Sequence, residues 1–183
     1  MPAARFFPIK SSSGITVFEV LLIIVCFFIL AIFADSFFCH HHSIDTARRA
    51  SAKNDAVEIA TAIVAFQTEY GRLPSTNGEV QDVGGSVLEA LTGRNTTLNP
   101  RQIVFLEVEP ARKGRGGSRD GAFVDPWGVP YKMKLDIDGD NRITNVGPAS
   151  SPTARVNYRI VAVWNDPDLS DLKNTRRAVT SWD

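Results

Sequence analysis

The stretch Ile15-Thr16-Val17-Phe18-Glu19-Val20-Leu21-Leu22-Ile23-Ile24-Val25-Cys26-Phe27-Phe28-Ile29-Leu30-Ala31-Ile32-Phe33-Ala34 decides how this chain is read. Every residue from 20 to 34 is apolar, and Glu19 is the one charged side chain in the run. Twenty helical residues rise about 30 Å, the thickness of a bilayer's hydrocarbon core. The stretch therefore predicts a helix that crosses a membrane. Arg5 and Lys10 precede it with no acid among residues 1–14, and Asp35 follows it. The positive-inside rule then puts Met1 in the cytoplasm and the bulk of the chain across the membrane.

Taken residue by residue, the segment admits three readings. A cleaved signal peptide has such a basic start, but its apolar region is shorter, and a cut after Ala34 would have bulky Ile32 two residues before it. A plain uncleaved anchor is the second reading. The third gives Glu19 a task. A carboxylate costs about 2.5–3.5 kcal/mol at a bilayer's centre and less near its edge, so an acid in an apolar helix points to a function and a partner.

Residues 13–22, Ser-Gly-Ile-Thr-Val-Phe-Glu-Val-Leu-Leu, resemble the cleavage and methylation motif of type IV prepilins and pseudopilins. The resemblance implies that a prepilin peptidase cuts between Gly14 and Ile15 and methylates Ile15. Glu19 becomes the fifth mature residue. There its carboxylate pairs with the Ile15 amine of a neighbouring subunit, turning two unpaired charges in an apolar setting into one satisfied pair. The family usually starts its mature chain with Phe where this one has Ile15. Many members also carry Pro at the position of Ser36.

Beyond the apolar run, residues 43–70 read as a continuing amphipathic helix. Ala47, Ala50, Val57, Ala60, Ile63, Val64 and Phe66 fall mostly at three- and four-residue steps. Gly71 stands where a helix C-cap belongs, and Pro74 follows. Residues 75–85 read as a loop, 87–91 as a short helix and 103–108 as a strand. Residues 111–121, basic and glycine-rich with Lys113, Arg115 and Arg119, read as an exposed mobile loop, with a binding role for the basic patch as the alternative. Asp125-Pro126-Trp127-Gly128-Val129-Pro130-Tyr131 reads as a tight turn that frees Trp127 and Tyr131 to cap a core. It is similar to an element of pseudopilin heads that leads into a hairpin. Residues 131–135, 142–146 and 157–164 read as strands.

The expected fold class is thus α+β. A long N-terminal helix, transmembrane in its first half, packs on a small antiparallel sheet. The expected organisation is a leader at 1–14, a membrane and polymerisation helix at 15–35, its continuation at 36–74 and a globular head at 75–183.

Asp136-Ile137-Asp138-Gly139-Asp140-Asn141 is the metal candidate. Calcium takes several hard oxygen ligands, and Asp136, Asp138 and Asp140 supply three carboxylates. It is not an EF-hand, since Asn141 stands where that loop needs glycine and Gly147 where it needs glutamate. An Asp-rich turn fits the same residues. The resemblance adds weight to calcium, which major pseudopilin heads bind. Asp166, Asp168 and Asp171 are a second possible source of ligands. Cys39-His40-His41-His42 is a poor zinc site, because consecutive helical side chains diverge.

The 20 basic and 20 acidic residues cancel, which argues against nucleic acid as a partner. No phosphate loop, nucleophile elbow or metalloprotease helix is present, and the three histidines are consecutive, so no enzyme is expected. Cys26 and Cys39, about 20 Å apart on a helix, cannot pair with each other. The family resemblance implies a structural subunit at the bacterial inner membrane, with its leader in the cytoplasm and its head in the periplasm. Its partners would be further pilin-like subunits, the prepilin peptidase and the inner-membrane assembly platform of type II secretion. A true type IV pilin is the near alternative, although no cysteine follows Cys39. A membrane-anchored or secreted calcium-dependent binding domain is the distant one.

Overall fold

The structure, a computed structural model, describes residues 16–149, 152–157, 159–166 and 178–182, with side chains for all of these except 32–43 and 154. The expected leader, Gly14 and Ile15 lie outside the described residues, as do Asp168 and Asp171 and the side chains of Ser36, Cys39 and His40–His42. The chain divides into two compact units, Met1–Ser43 and Ile44–Asp183. Each is taken by itself.

Helix α1 runs Val17–Tyr70. Its first part lies in the first unit and opens on Thr16 and Glu19. The expectation of a transmembrane first half is corrected. Among the described residues no helix is long and apolar enough to cross a membrane.

In the second unit α1 ends where Gly71, at φ +64°, donates its N–H to the Gln67 carbonyl at 2.8 Å. This is the left-handed single-bond helix stop that glycine favours. The second unit then builds β1 (Gln81–Asp82), α2 (Gly85–Leu91), β2 (Gly117–Arg119), β3 (Ala122–Val124), β4 (Tyr131–Leu135), β5 (Arg142–Val146), β6 (Thr153–Asn157) and β7 (Val161–Asn165).

The expected single small sheet is corrected too, since the strands form three antiparallel sheets. One has the order β1-β4-β7, and the others pair β2 with β3 and β5 with β6. The expected strand at 157–164 is in fact the end of β6 and the start of β7. No strand forms at 103–108. There Phe105 and Leu106 both donate N–H bonds to the Leu91 carbonyl, at 2.8 and 3.1 Å, and so close the end of α2.

Burial explains the layering. Ala52, Ala56, Ile59, Ile63 and Phe66 recur at steps of four and three and are fully buried. They meet Tyr131, Met133 and Leu135 of β4 and Val161 and Val163 of β7. In β4 burial alternates, with Lys132 and Lys134 between the buried residues. In β7 all five residues are buried, because both faces are covered. Val161 and Val163 join the helix-side core, while Ala162 and Trp164 join Ile143 and Val146 of β5, Val156 of β6 and Trp182.

Candidate functional site

The first candidate is the start of α1. Thr16 precedes the first helical turn, and Glu19 lies in it. The Thr16 N–H donates to Glu19 Oε2 at 3.1 Å, and the Glu19 N–H donates to Thr16 Oγ1 at 3.3 Å. This is a capping box, in which two helix-start amides are satisfied reciprocally. The carboxylate also complements the positive end of the helix dipole. Glu19 therefore has a local partner as well as any distant one. The Thr-x-x-Glu spacing carried that signal in the sequence. Around it, Val17, Phe18 and Phe27 are 85%, 71% and 70% exposed.

The second candidate is the β4–β5 connection. Asp136 is buried at the end of β4, while Asp138 and Asp140 are exposed. The three carboxylates bring ligand oxygens within 4.8 Å of one another. Two oxygens bound to one calcium at about 2.3–2.6 Å lie no more than about 5 Å apart, so the spacing and the hard donor set both fit. The loop is shaped from within. Asp136 Oδ1 accepts the Gly139 N–H at 3.0 Å, and its Oδ2 accepts the Asn141 N–H at 2.8 Å. Asp140 Oδ1 accepts the Arg142 N–H at 2.7 Å. Burial, with the adjoining Asp138 carboxyl, raises the Asp136 pKa above the usual carboxylate range, against the lowering effect of the two amides. Asp166 is not drawn into this group; its Oδ1 accepts the Ala149 N–H at 3.0 Å.

A buried polar network escaped the sequence reading. Asp125 Oδ1 accepts the N–H groups of Trp127 and Val129, both at 2.9 Å, which builds the expected turn. Its Oδ2 accepts the Asn165 side-chain amide at 2.8 Å, and Asn165 Oδ1 accepts the Val179 N–H at 2.8 Å. The Tyr131 hydroxyl lies 3.1 Å from Asp55 Oδ2 and 3.2 Å from the Ala52 carbonyl on α1. Burial pushes the Asp55 pKa up to about 6, against the hydrogen bond from Tyr131 and helped by the charges of Glu58 and Asp125. Burial likewise raises that of Tyr131. These partners lie 40 and 76 residues apart, beyond any local signal.

The expected mobile loop at 111–121 is corrected. Strand β2 pairs with β3, Ala111 and Ser118 are joined by a 2.9 Å backbone bond, and Arg112 and Arg115 close a turn on each other. The Arg119 guanidinium donates to the Gly128 carbonyl. No family model, no curated protein and no solved structure matches the chain.

Proposed function

We propose that the chain is a structural, pilin-like subunit, matured by a prepilin-type peptidase between Gly14 and Ile15, that polymerises through its N-terminal helix in type II secretion. The supporting observation is the start of α1, where large apolar side chains stand exposed around one carboxylate, Glu19. Exposed apolar surface of this kind calls for other protein or lipid to cover it. The filament would stand in the periplasm on the inner-membrane secretion platform, and the work is assembly rather than catalysis.

The capping box refines the test. Glu19→Ala removes both the cap and the charge, whereas Glu19→Gln keeps a side chain able to cap but cannot form an ion pair with a neighbour's amine. Glu19→Gln is expected to be processed to start at Ile15, by N-terminal sequencing, and yet to assemble poorly by cross-linking. Normal assembly of this variant would remove the pairing role. A mature chain starting at Met1 would remove the prepilin reading.

The spacing of Asp136, Asp138 and Asp140 favours a second element of function, calcium binding by the second unit. With calcium at 100 times its dissociation constant, the gain is about 2.7 kcal/mol. The thermal midpoint of the full chain is expected to rise with calcium, to fall with chelator, and not to respond in Asp138→Asn/Asp140→Asn. Equal midpoints with and without calcium would exclude the site.

A further inference from the structure

We infer that the basic pocket beside Trp127 is a binding site for a phosphate-bearing anion. Its lining cations come from one stretch of chain, residues 112–119, and a fifth cation stands beside that stretch. Arg112, Lys113 and Arg115 stand on the turn before β2, and Arg119 ends β2. Arg48 comes across from α1. A Cβ at Gly114 would lie 2.9 Å from its Nη2, so the guanidinium sits against the turn at this glycine. With Trp127, the four residues on and before β2, Arg112, Lys113, Arg115 and Arg119, line an open pocket of about 350 Å³.

The turn is held in place, and so is one of the guanidiniums. Backbone bonds lock the Arg112–Arg115 turn, and the Gly128 carbonyl fixes Arg119. Their charge is also largely unspent. Among the described residues one ion pair touches the five, Arg115 to Glu109 at 3.7 Å, and both ends are about two-thirds exposed (67% and 70%). Exposed pairs of that length are weak. Asp125 lines the pocket, but its two oxygens are engaged by the Trp127, Val129 and Asn165 donors. Asp120, one residue past Arg119, does not line it.

The chain carries no net charge, so this convergence is local segregation rather than a generally basic surface. Three arginines and a lysine lining one pocket match an anion with oxygens on several sides better than a single carboxylate, which one fork satisfies. Such a group is present in free phosphate and in an anionic lipid headgroup.

The test uses the full-length protein and two probes at constant ionic strength, because salt screens exposed charge. Inorganic phosphate is titrated while tryptophan fluorescence is followed, with Trp127 as the reporter. Flotation with phosphatidylglycerol vesicles is compared with phosphatidylcholine vesicles, which controls for the apolar helix. The expected result is saturable phosphate binding, weakened about tenfold or more in Lys113→Gln/Arg115→Gln, two exposed sites whose replacement leaves the core untouched. Arg112→Gln provides an independent second variant. A preference for phosphatidylglycerol that both variants abolish assigns the site to a headgroup. Phosphate binding without that preference assigns it to a soluble phosphate. No saturable phosphate response together with no vesicle preference overturns the inference, as does binding equal in wild type and both variants.

Discussion

Asp55 sets a pH dependence that a single substitution can isolate. Its carboxyl is half-buried against Tyr131, and its folded pKa is about 6 rather than the ordinary 3.8. Between these values the folded state holds a proton that the unfolded state has released. Its contribution to stability is therefore fully present below about pH 4 and is lost as pH rises through 6. Asp55→Asn keeps a polar partner for the Tyr131 hydroxyl and removes the charge. It is expected to stabilise the second unit at pH 7.5 by about 1 kcal/mol, a figure reduced for solvent screening, and to change it little at pH 4. Denaturant midpoints at the two pH values check this, and an equal effect at both would rule out charge as the cause. Residue-scale reading of the sequence succeeded where chemistry is local. Asp136, Asp138 and Asp140 converge because they share one short loop. It failed where the partners are distant, as with Asp55 and Tyr131. It also gave Glu19 a partner only in another subunit, although Thr16, three residues before it, was in view.

At the scale of elements, the helix shows why periodicity alone is ambiguous. Residues 44–70 carry two apolar stripes. One, with Ala52, Ala56, Ile59, Ile63 and Phe66, is buried. The other includes Val57, Ala60 and Val64 and lines an open groove with Ile160 and Val161. The apolar residues that mark the helix in the sequence come from both stripes, Val57, Ala60 and Val64 from the second and Ile63 and Phe66 from the first. Both stripes have the helical period, and only the position of the sheet decides which of them packs. Ile59→Ala is expected to cost about 2–5 kcal/mol, the range for emptying a buried site. Val57→Ser, at an exposed one, should stay within about 0.5 kcal/mol. Chemical denaturation of the two variants checks the ordering, and similar losses would mean that the Val57 stripe is buried. The helix stop at Gly71 and the strands at β4 and β5 were legible from local pattern. Strand β7 was not bounded correctly, because its run from Val161 to Asn165 is buried on both faces and shows no alternation.

On the scale of the molecule, the boundary that matters falls at Ser43, not at the end of the helix. The second half of α1 belongs to the core of the second unit: Ile59, Ile63 and Phe66 are fully buried there. Burying each contributes about 1.5–3 kcal/mol, and their combined loss approaches the roughly 5–15 kcal/mol by which a whole domain is stable. The C-terminal segment is tied to the same helix, since Lys53 Nζ donates to the Thr180 carbonyl at 2.7 Å. A chain cut to residues 75–183, the head as the sequence alone delimited it, is therefore expected to lack a cooperative unfolding transition. A chain of residues 44–183 keeps both core clusters whole. It is expected to unfold cooperatively, with a denaturant midpoint close to that of the full protein, and to sediment as a monomer, because the exposed apolar start of α1 has been removed. Sedimentation of 44–183 beside the full chain decides the matter. Self-association of 44–183 as strong as that of the full protein would locate the assembly surface in the second unit and remove the N-terminal helix from the role proposed for it.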